Sequence, residues 1–516
     1  MNIARLLQNS ARSFADFPAI CRGRSIVHSY LALGARVQHI AGSLGSRFGL
    51  RPGDRVAILM TNHPAYLEVM FAAWWAGMIA VPINARLHSK EIEYILQKSN
   101  AKLCFVNDDT ESSVTPLGAS LPQMKEIVNV SRGPYGLLAE AAALGSPVHR
   151  GPFEPAWLFF TSGTTGRPKA ATLTHLNLLV MSLTYLADIQ PVTPSHAIFH
   201  AAPMSHGTGL LALPHVAKAS ANVTMENKSM NHEEIFDLLD VYSNVTMYHT
   251  PTMVKRMVNH PALADATLSN LDTVFYGGSP MYLVDLQHAI QRIGPRLIQM
   301  WAQAETPNTG TYLSKADHMN ATHPRYLERI SSAGIARTGV ELMIVDDRDQ
   351  PLPAGEAGEV VVRGDVVMAG YWEDPETNVQ TLRGGWLHTG DVGALDQDGY
   401  LTIKDRKKDM IISGGFNIYP REIEEVLLRH PGVLEASVVG LPHEDYVEQV
   451  VACIVRDPTT DVSDVELDAY CLENIARFKR PRLYFWFDEL PKGYYGKIEK
   501  RQLRDQLVLR NVSAAS

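Results

Sequence analysis

The sequence predicts an α/β fold, and three observations carry that prediction. Through residues 51–306, apolar runs of strand length alternate with stretches of helix length, the pattern of parallel strands covered by helices. From about residue 340 the texture changes to alternating strands, at 340–345 and 359–363, separated by glycine-rich turns; these read as a smaller antiparallel β unit. Beyond residue 410 a compact βαβ-like unit follows.

Residues 1–50 read as a helical opening with a short strand pair. Arg51-Pro52-Gly53-Asp54 is a turn, 55–60 a strand, 63–78 a largely buried helix, and 79–83 a second strand. Ser89 is expected to cap a helix running to Lys98, with Glu91 and Glu93 favourable in its first turn. A third strand occupies 102–106, a buried strand 157–160, and a helix begins near Thr174. Two further strands, near 274–276 and 297–301, run into turns. Pro420 opens a helix at 421–428, strands follow at 435–440 and 449–455, and a Gly/Tyr loop at 490–500 leads into a final helix.

Apolar residues make up 46% and charged residues 20% of the 516, ordinary for a globular enzyme with a large core. Length alone suggests about three domains. The net charge of −8 argues against a nucleic-acid-binding surface. Cys21, Cys104, Cys453 and Cys471 are far apart and form no C-x-x-C pair, so neither a disulfide framework nor a zinc site is expected, and a reducing cytoplasm fits. The amino terminus carries polar residues too early for a signal peptide. No apolar run approaches the roughly 18 residues of a membrane helix. Neither G-x-S-x-G nor H-E-x-x-H occurs.

The stretch Thr161-Ser162-Gly163-Thr164-Thr165-Gly166-Arg167-Pro168-Lys169 sets four hydroxyls, two glycines and a lysine between a strand and a helix. Such a turn suits a polyphosphate: glycines let backbone N–H groups approach, hydroxyls donate, and lysine adds charge. It is not a Walker A loop, because Gly163 and Gly166 enclose two residues and Ala170 follows Lys169. It resembles the phosphate-loop signature [YF]-T-S-G-T-T-G-x-P-K-G of the adenylate-forming superfamily, with alanine for the last glycine. That superfamily holds acyl- and aryl-CoA synthetases, peptide-synthetase adenylation domains and luciferases.

Further motifs carry the resemblance along nearly the whole chain. His206, in Met204-Ser205-His206-Gly207-Thr208-Gly209, stands where the family places a histidine beside the carboxylate and acyl chain. The turn Tyr276-Gly277-Gly278-Ser279 stands where the family lays backbone against adenine, which assigns Gly278 and Ser279 to the nucleotide. Trp301-Ala302-Gln303-Ala304-Glu305 resembles Y-G-x-T-E, with Trp301 for tyrosine and Ala302 for glycine. The resemblance implies that Trp301 stacks on adenine beside Ala302 and Gln303, that Glu305 and Thr161 hold Mg²⁺, and that Thr306 contacts the α-phosphate. Gly385-Trp386-Leu387-His388-Thr389-Gly390-Asp391 resembles G-W-x-x-T-G-D, with Asp391 accepting from the ribose hydroxyls. Arg406 would contact the ribose, and Lys408, at a hinge, would with Gly415 serve the coenzyme A-bound state. Leu490-Pro491-Lys492-Gly493-Tyr494-Tyr495-Gly496-Lys497 resembles L-P-[KR]-x-x-x-G-K, with Lys497 the mobile catalytic lysine.

The resemblance implies a large amino-terminal domain, 1–405, of doubly wound α/β subdomains plus a small β-barrel-like unit. It implies a hinge at 406–409 and a small mobile α+β domain at 410–516. The implied activity is ATP-dependent acid–CoA ligation with Mg²⁺: the acid becomes an acyl-adenylate, pyrophosphate leaves, and the acyl group passes to coenzyme A. An alternative acceptor is a carrier-protein thiol. A non-catalytic relative is disfavoured by the presence of Glu305, Asp391, Arg406 and Lys497. For the acid pocket, Met204, Gly207, Gly209, Tyr276 and Pro307 are apolar or small, which favours an aromatic or aliphatic acid. No acidic residue lies at 203–215, which disfavours an amino acid; Lys255 or Arg256 keeps a dicarboxylic acid open. A homodimer is left open.

Overall fold

The computed structural model describes residues 1–161, 168–227, 230–493 and 497–514. A six-stranded sheet runs in the order Glu126–Asn129, Leu103–Val106, Arg55–Leu59, Ile79–Pro82, Pro155–Thr161, Lys169–Thr174. Only its last pair is antiparallel. A nine-stranded sheet runs Ile335–Ala336, Thr311–Leu313, Leu297–Trp301, Leu271–Tyr276, Val245–His249, Ala197–His200, Ala221–Thr224, Pro18–Arg22, Ser25–Ser29, parallel at its centre and antiparallel at its edges. Parallel strands are covered on both faces and must be apolar throughout. Ile79–Pro82, Leu103–Val106 and Val245–His249 are accordingly buried at every position.

The expected buried helix is Ala65–Trp75, and all eleven of its residues are buried. An all-round apolar helix of this kind belongs in a core. Its single carboxylate, Glu68, is satisfied by the Tyr135 hydroxyl at 2.7 Å, by His28 Nε2 at 3.0 Å and by Arg36.

Two local expectations are corrected. His88, not Ser89, caps the helix Ser89–Ser99: its ring accepts the Lys90 N–H, while Glu91 reaches back to the His88 N–H at 2.9 Å. The phosphate stretch is not a strand-to-helix turn. Lys169–Thr174 forms a strand antiparallel to Pro155–Thr161, with Thr161 opposite Lys169, and the helix His175–Thr184 starts only after its cap, Thr174. Residues 170–174 are buried, and pairing with the preceding strand is how their backbone groups are satisfied.

The β unit is a four-stranded antiparallel sheet taken in chain order: Glu341–Val345, Gly358–Arg363, Leu387–Leu395 and Leu401–Arg406. A further sheet is built entirely from residues after 410. Its first hairpin, Ile411–Ser413 with Phe416–Ile418, turns on Gly414 and Gly415, whose φ angles of 57° and 83° are what a two-residue hairpin loop demands. Val433–His443 and Val447–Arg456 pair antiparallel; the βαβ reading applies to Val447–Arg456, helix Asp464–Asn474 and the parallel strand Leu483–Trp486. The four cysteines are buried, and none is in a disulfide. Among the described residues no helix is long and apolar enough to cross a membrane.

One buried ion pair fixes the floor beneath the site. Arg337, 2% exposed, places Nε 2.9 Å from Asp188 Oδ2 and donates to Thr184 Oγ1 at 3.1 Å and to the Asn308 carbonyl at 3.2 Å. Thr338 donates to the same Asp188 from its N–H and its hydroxyl. Burial lowers the guanidinium pKa and Asp188 opposes that shift. Arg337→Met leaves Asp188 buried without its counter-charge. The expected cost is about 3–5 kcal/mol of stability, measured as a lowered denaturation midpoint.

Candidate active site

The centre of the site is the carboxylate of Asp391, 4% exposed, on the strand Leu387–Leu395. Cross-strand register sets Arg406 opposite it, and Arg406 Nε lies 2.6 Å from Asp391 Oδ1. Oδ2 accepts the Trp301 indole N–H at 2.9 Å and the Gln303 amide at 3.0 Å. The same Gln303 amide donates to the Thr389 carbonyl at 2.9 Å. Four expected nucleotide residues therefore meet at one carboxylate. A carboxylate offers about four acceptor positions, so three donors leave capacity for a ligand hydroxyl.

Lys497 joins this corner from the carboxy-terminal unit. It keeps exposed surface, yet loss of water around its ammonium lowers its pKa; Arg406 and Lys408 lower it further, while Asp391 and Asp409 oppose. Lys408 and Gly415 are exposed.

Glu305 is buried after the strand Leu297–Trp301, and its Oε1 accepts the Tyr371 hydroxyl at 2.6 Å. Lys169 Nζ sits 5.3 Å from the centroid of the Tyr371 ring. The residues fit Mg²⁺: the Tyr371 hydroxyl holds Oε1 and so orients the other carboxylate oxygen, and Mg²⁺ commonly takes one carboxylate plus substrate phosphates and waters. No group of three His, Cys, Asp or Glu able to hold a metal occurs among the described residues. Thr161 ends its strand opposite Lys169. Ser162, Gly163, Thr164, Thr165 and Gly166 lie outside the described residues.

Thr306, expected at the α-phosphate, follows Glu305 directly. It is 1% exposed, and its Oγ1 accepts the Gln303 N–H at 3.2 Å, which closes the turn that presents Glu305. In register with Y-G-x-T-E, the threonine position falls on Ala304, so Thr306 lies one residue beyond the motif.

At the other end, His206 precedes the helix Gly207–Ala217. Its Nδ1 is 2.9 Å from Ser205 Oγ, and its ring meets Phe159 edge-to-face at 5.3 Å. Burial pushes its pKa down to about 4, so it is neutral at pH 7. Gly209 is required there, because a Cβ would lie 1.9 Å from the Met204 carbonyl oxygen. Asn308, with φ 48°, donates from Nδ2 to the Gly207 carbonyl at 2.8 Å, linking the Arg337 network to this helix.

Tyr248 is the residue that sequence reasoning missed here. Its ring lies 3.5 Å from where a Gly207 Cβ would stand, and its hydroxyl 2.9 Å from a Gly278 Cβ position. It thus spans the gap between the two glycine turns. Tyr276, an expected pocket residue, faces the other side of the sheet, where its hydroxyl meets His318 Nε2 at 2.9 Å inside the core. Strand alternation explains both assignments. Gly278 is exposed and Ser279 half-buried at the mouth; Ala302 is half-buried beside Trp301. Lys255 pairs with Asp285 at 2.9 Å and Arg256 is exposed.

Comparison with known proteins shows the family. The AMP-binding enzyme family profile matches residues 7–372, and the profile of the AMP-binding enzyme C-terminal domain matches 422–497. A feruloyl-CoA synthase of Amycolatopsis sp. is 34% identical over 478 residues, covering 92% of this chain and 93% of that one. A long-chain-fatty-acid–CoA ligase of Escherichia coli O157:H7 is 29% identical over 545 residues, covering 98% and 94%. The structure of ATP-bound MatB from Rhodopseudomonas palustris superposes with a TM-score of 0.86 at 28% identity, covering 98% and 99%. The chain belongs to the AMP-binding enzyme family, the adenylate-forming superfamily, and is an AMP-forming acid–CoA ligase that works through an acyl-adenylate.

Proposed function

We propose that the acid is aromatic, that it lies between His206 and Tyr248, and that ATP lies along the line from Asp391 to Lys169. The observation that carries this reading is Tyr248, whose ring approaches Gly207 and whose hydroxyl approaches Gly278, setting an aromatic side chain beside the expected position of the acid. The feruloyl-CoA synthase relative supports it. With Lys255 engaged by Asp285, a dicarboxylic acid is disfavoured.

A free carboxylate is a poor acyl donor because its oxygen is a poor leaving group. In the first step a carboxylate oxygen attacks the α-phosphorus of ATP, and the bond to the β-phosphate breaks. Charge gathers on phosphate oxygens, and cations fixed in advance at that point lower the barrier. Lys497 and Lys169 supply such cations. Glu305, with Thr161, would hold Mg²⁺, which when bound neutralises phosphate charge. Asp391 and Arg406 take the ribose, Trp301 with Ala302 and Gln303 takes adenine, and neutral His206 orients the acid without ion-pairing it. In the second step the coenzyme A sulfur attacks the acyl carbon, the thiol proton is lost, and AMP leaves.

The carboxy-terminal unit is proposed to be a mobile domain from 410 onward, hinged at 406–409, with Lys408 and Gly415 serving the second step. Core clusters support this boundary. Among the described residues, each cluster lies wholly before 406 or wholly after 410. A unit with its own core can move as a body.

Coenzyme A-dependent AMP formation from ATP, measured across benzoates, cinnamates and fatty acids of rising length, tests the acid class. An aryl acid should give the highest kcat/KM, and Tyr248→Ala should shift the preference toward longer acids; a fatty acid leading in the unaltered enzyme would overturn the proposal. Lys497→Ala should cost at least about 100-fold in pyrophosphate exchange while leaving thioester formation from supplied acyl-adenylate within a few-fold. Equal loss in both would refute that division. The lowered Lys497 pKa also sets a pH dependence: adenylation should fall as pH rises through it, at a value below the ordinary lysine figure of about 10.5. A Lys497→Arg enzyme should lack that alkaline limb.

A further inference from the structure

We propose that Tyr371 is a positioning residue that holds the Glu305 carboxylate and the Lys169 ammonium at once, the first through its hydroxyl and the second on its ring face. The proposal rests on the nucleotide site described above. Glu305 and Tyr371 are 66 residues apart, and no motif used in reading the sequence includes Tyr371.

The geometry is built rather than incidental. Tyr371 N–H donates to Asn378 Oδ1 at 2.6 Å, and Asn378 Nδ2 donates back to the Tyr371 carbonyl at 3.0 Å, so one side chain clamps both backbone groups. A Cβ on Gly370, whose φ is 132°, would lie 2.9 Å from that Asn378 amide, so glycine is what lets the clamp close. The segment also lies along the strand that begins at Lys169. Trp372 N–H donates to the Ala170 carbonyl at 2.8 Å, Ala369 N–H to Thr172 at 3.0 Å, and Thr172 N–H to Gly370 at 2.9 Å. At its other end Met368 N–H donates to the Glu305 carbonyl at 2.8 Å. Residues 368–372 therefore bridge the two elements that carry the lysine and the carboxylate.

The arrangement solves a charge problem. Lys169 and Glu305 must work side by side, and a direct ion pair would spend both on each other. Among the described residues none joins them. The ring face attracts the ammonium, while the hydroxyl occupies only one carboxylate oxygen and orients the other. Hydrogen-bond partners of a ligating carboxylate usually matter to metal affinity by 10-fold or more.

Calorimetric titration of ATP into the enzyme, once with Mg²⁺ and once with EDTA, separates the two roles and needs neither acid nor coenzyme A. Tyr371→Phe keeps the ring and removes the hydroxyl. It should weaken MgATP binding about 10-fold and leave Mg-free ATP binding within two-fold. Tyr371→Leu should weaken both. Unchanged MgATP affinity in Tyr371→Phe, or loss of Mg-free ATP binding as large as in Tyr371→Leu, overturns the proposal. Absence of ATP binding by the unaltered enzyme would instead refute the nucleotide-site reading.

Discussion

The satisfaction of Asp391 is the constraint on which the site depends. A carboxylate this buried is costly unless donors surround it. Its donors come from two parts of the fold: Trp301 and Gln303 after a strand of the parallel sheet, and Arg406 from the neighbouring strand of the antiparallel one. Docking the β unit against the parallel sheet is thus what makes Asp391 tolerable. The same contact places an indole, an amide and a guanidinium around the one spot where a ribose hydroxyl can still be received.

The two ends of the site are electrically unlike. On the proposed reading the nucleotide end carries Lys169, Arg406 and Lys497 as cations. The acid end carries a histidine kept neutral by burial, a phenol and glycine backbone. On the proposed reading this suits the chemistry, since a carboxylate gripped by a cation is a weaker nucleophile than one positioned by neutral donors. Charge is reserved for the phosphorus, where it accumulates in the transition state.

What the sequence revealed was largely what local pattern determines. The apolar strands, the buried helix Ala65–Trp75 and the Gly414-Gly415 turn follow from periodicity and permitted φ angles. The hairpin at the phosphate stretch was not legible, because a six-residue run that pairs with its predecessor looks locally like a lead-in to the helix behind it. Tyr276 and Tyr248 were exchanged for a related reason. Strand parity and the packing on each face decide which tyrosine can face the proposed acid site, and Tyr276 is claimed by His318. Thr306 stands beside Glu305 but outside the motif's threonine position, and the acceptor role of its Oγ1 toward the Gln303 N–H is visible only in the folded turn. Tyr371 and Arg337 act through space on distant segments, and no spacing rule connects them to the site.

The contacts between the carboxy-terminal unit and the rest are of a different kind from those within it. Tyr282 donates to Glu424 at 2.9 Å, Lys404 pairs with Glu422 at 3.2 Å, Lys500 reaches Asp405 at 3.6 Å, and Arg504 meets Asp409 at 2.9 Å. Polar contacts of this sort can be exchanged for water at modest cost, whereas opening an apolar core cannot. An interface so made can be broken and remade without unfolding either side. On the proposed reading, a catalytic lysine needed while phosphate charge builds, and in the way once coenzyme A must reach the acyl carbon, is well placed on the side of such an interface that is proposed to move. The polar character of the join and the position of Lys497 beyond it are therefore two aspects of one solution to a two-step reaction.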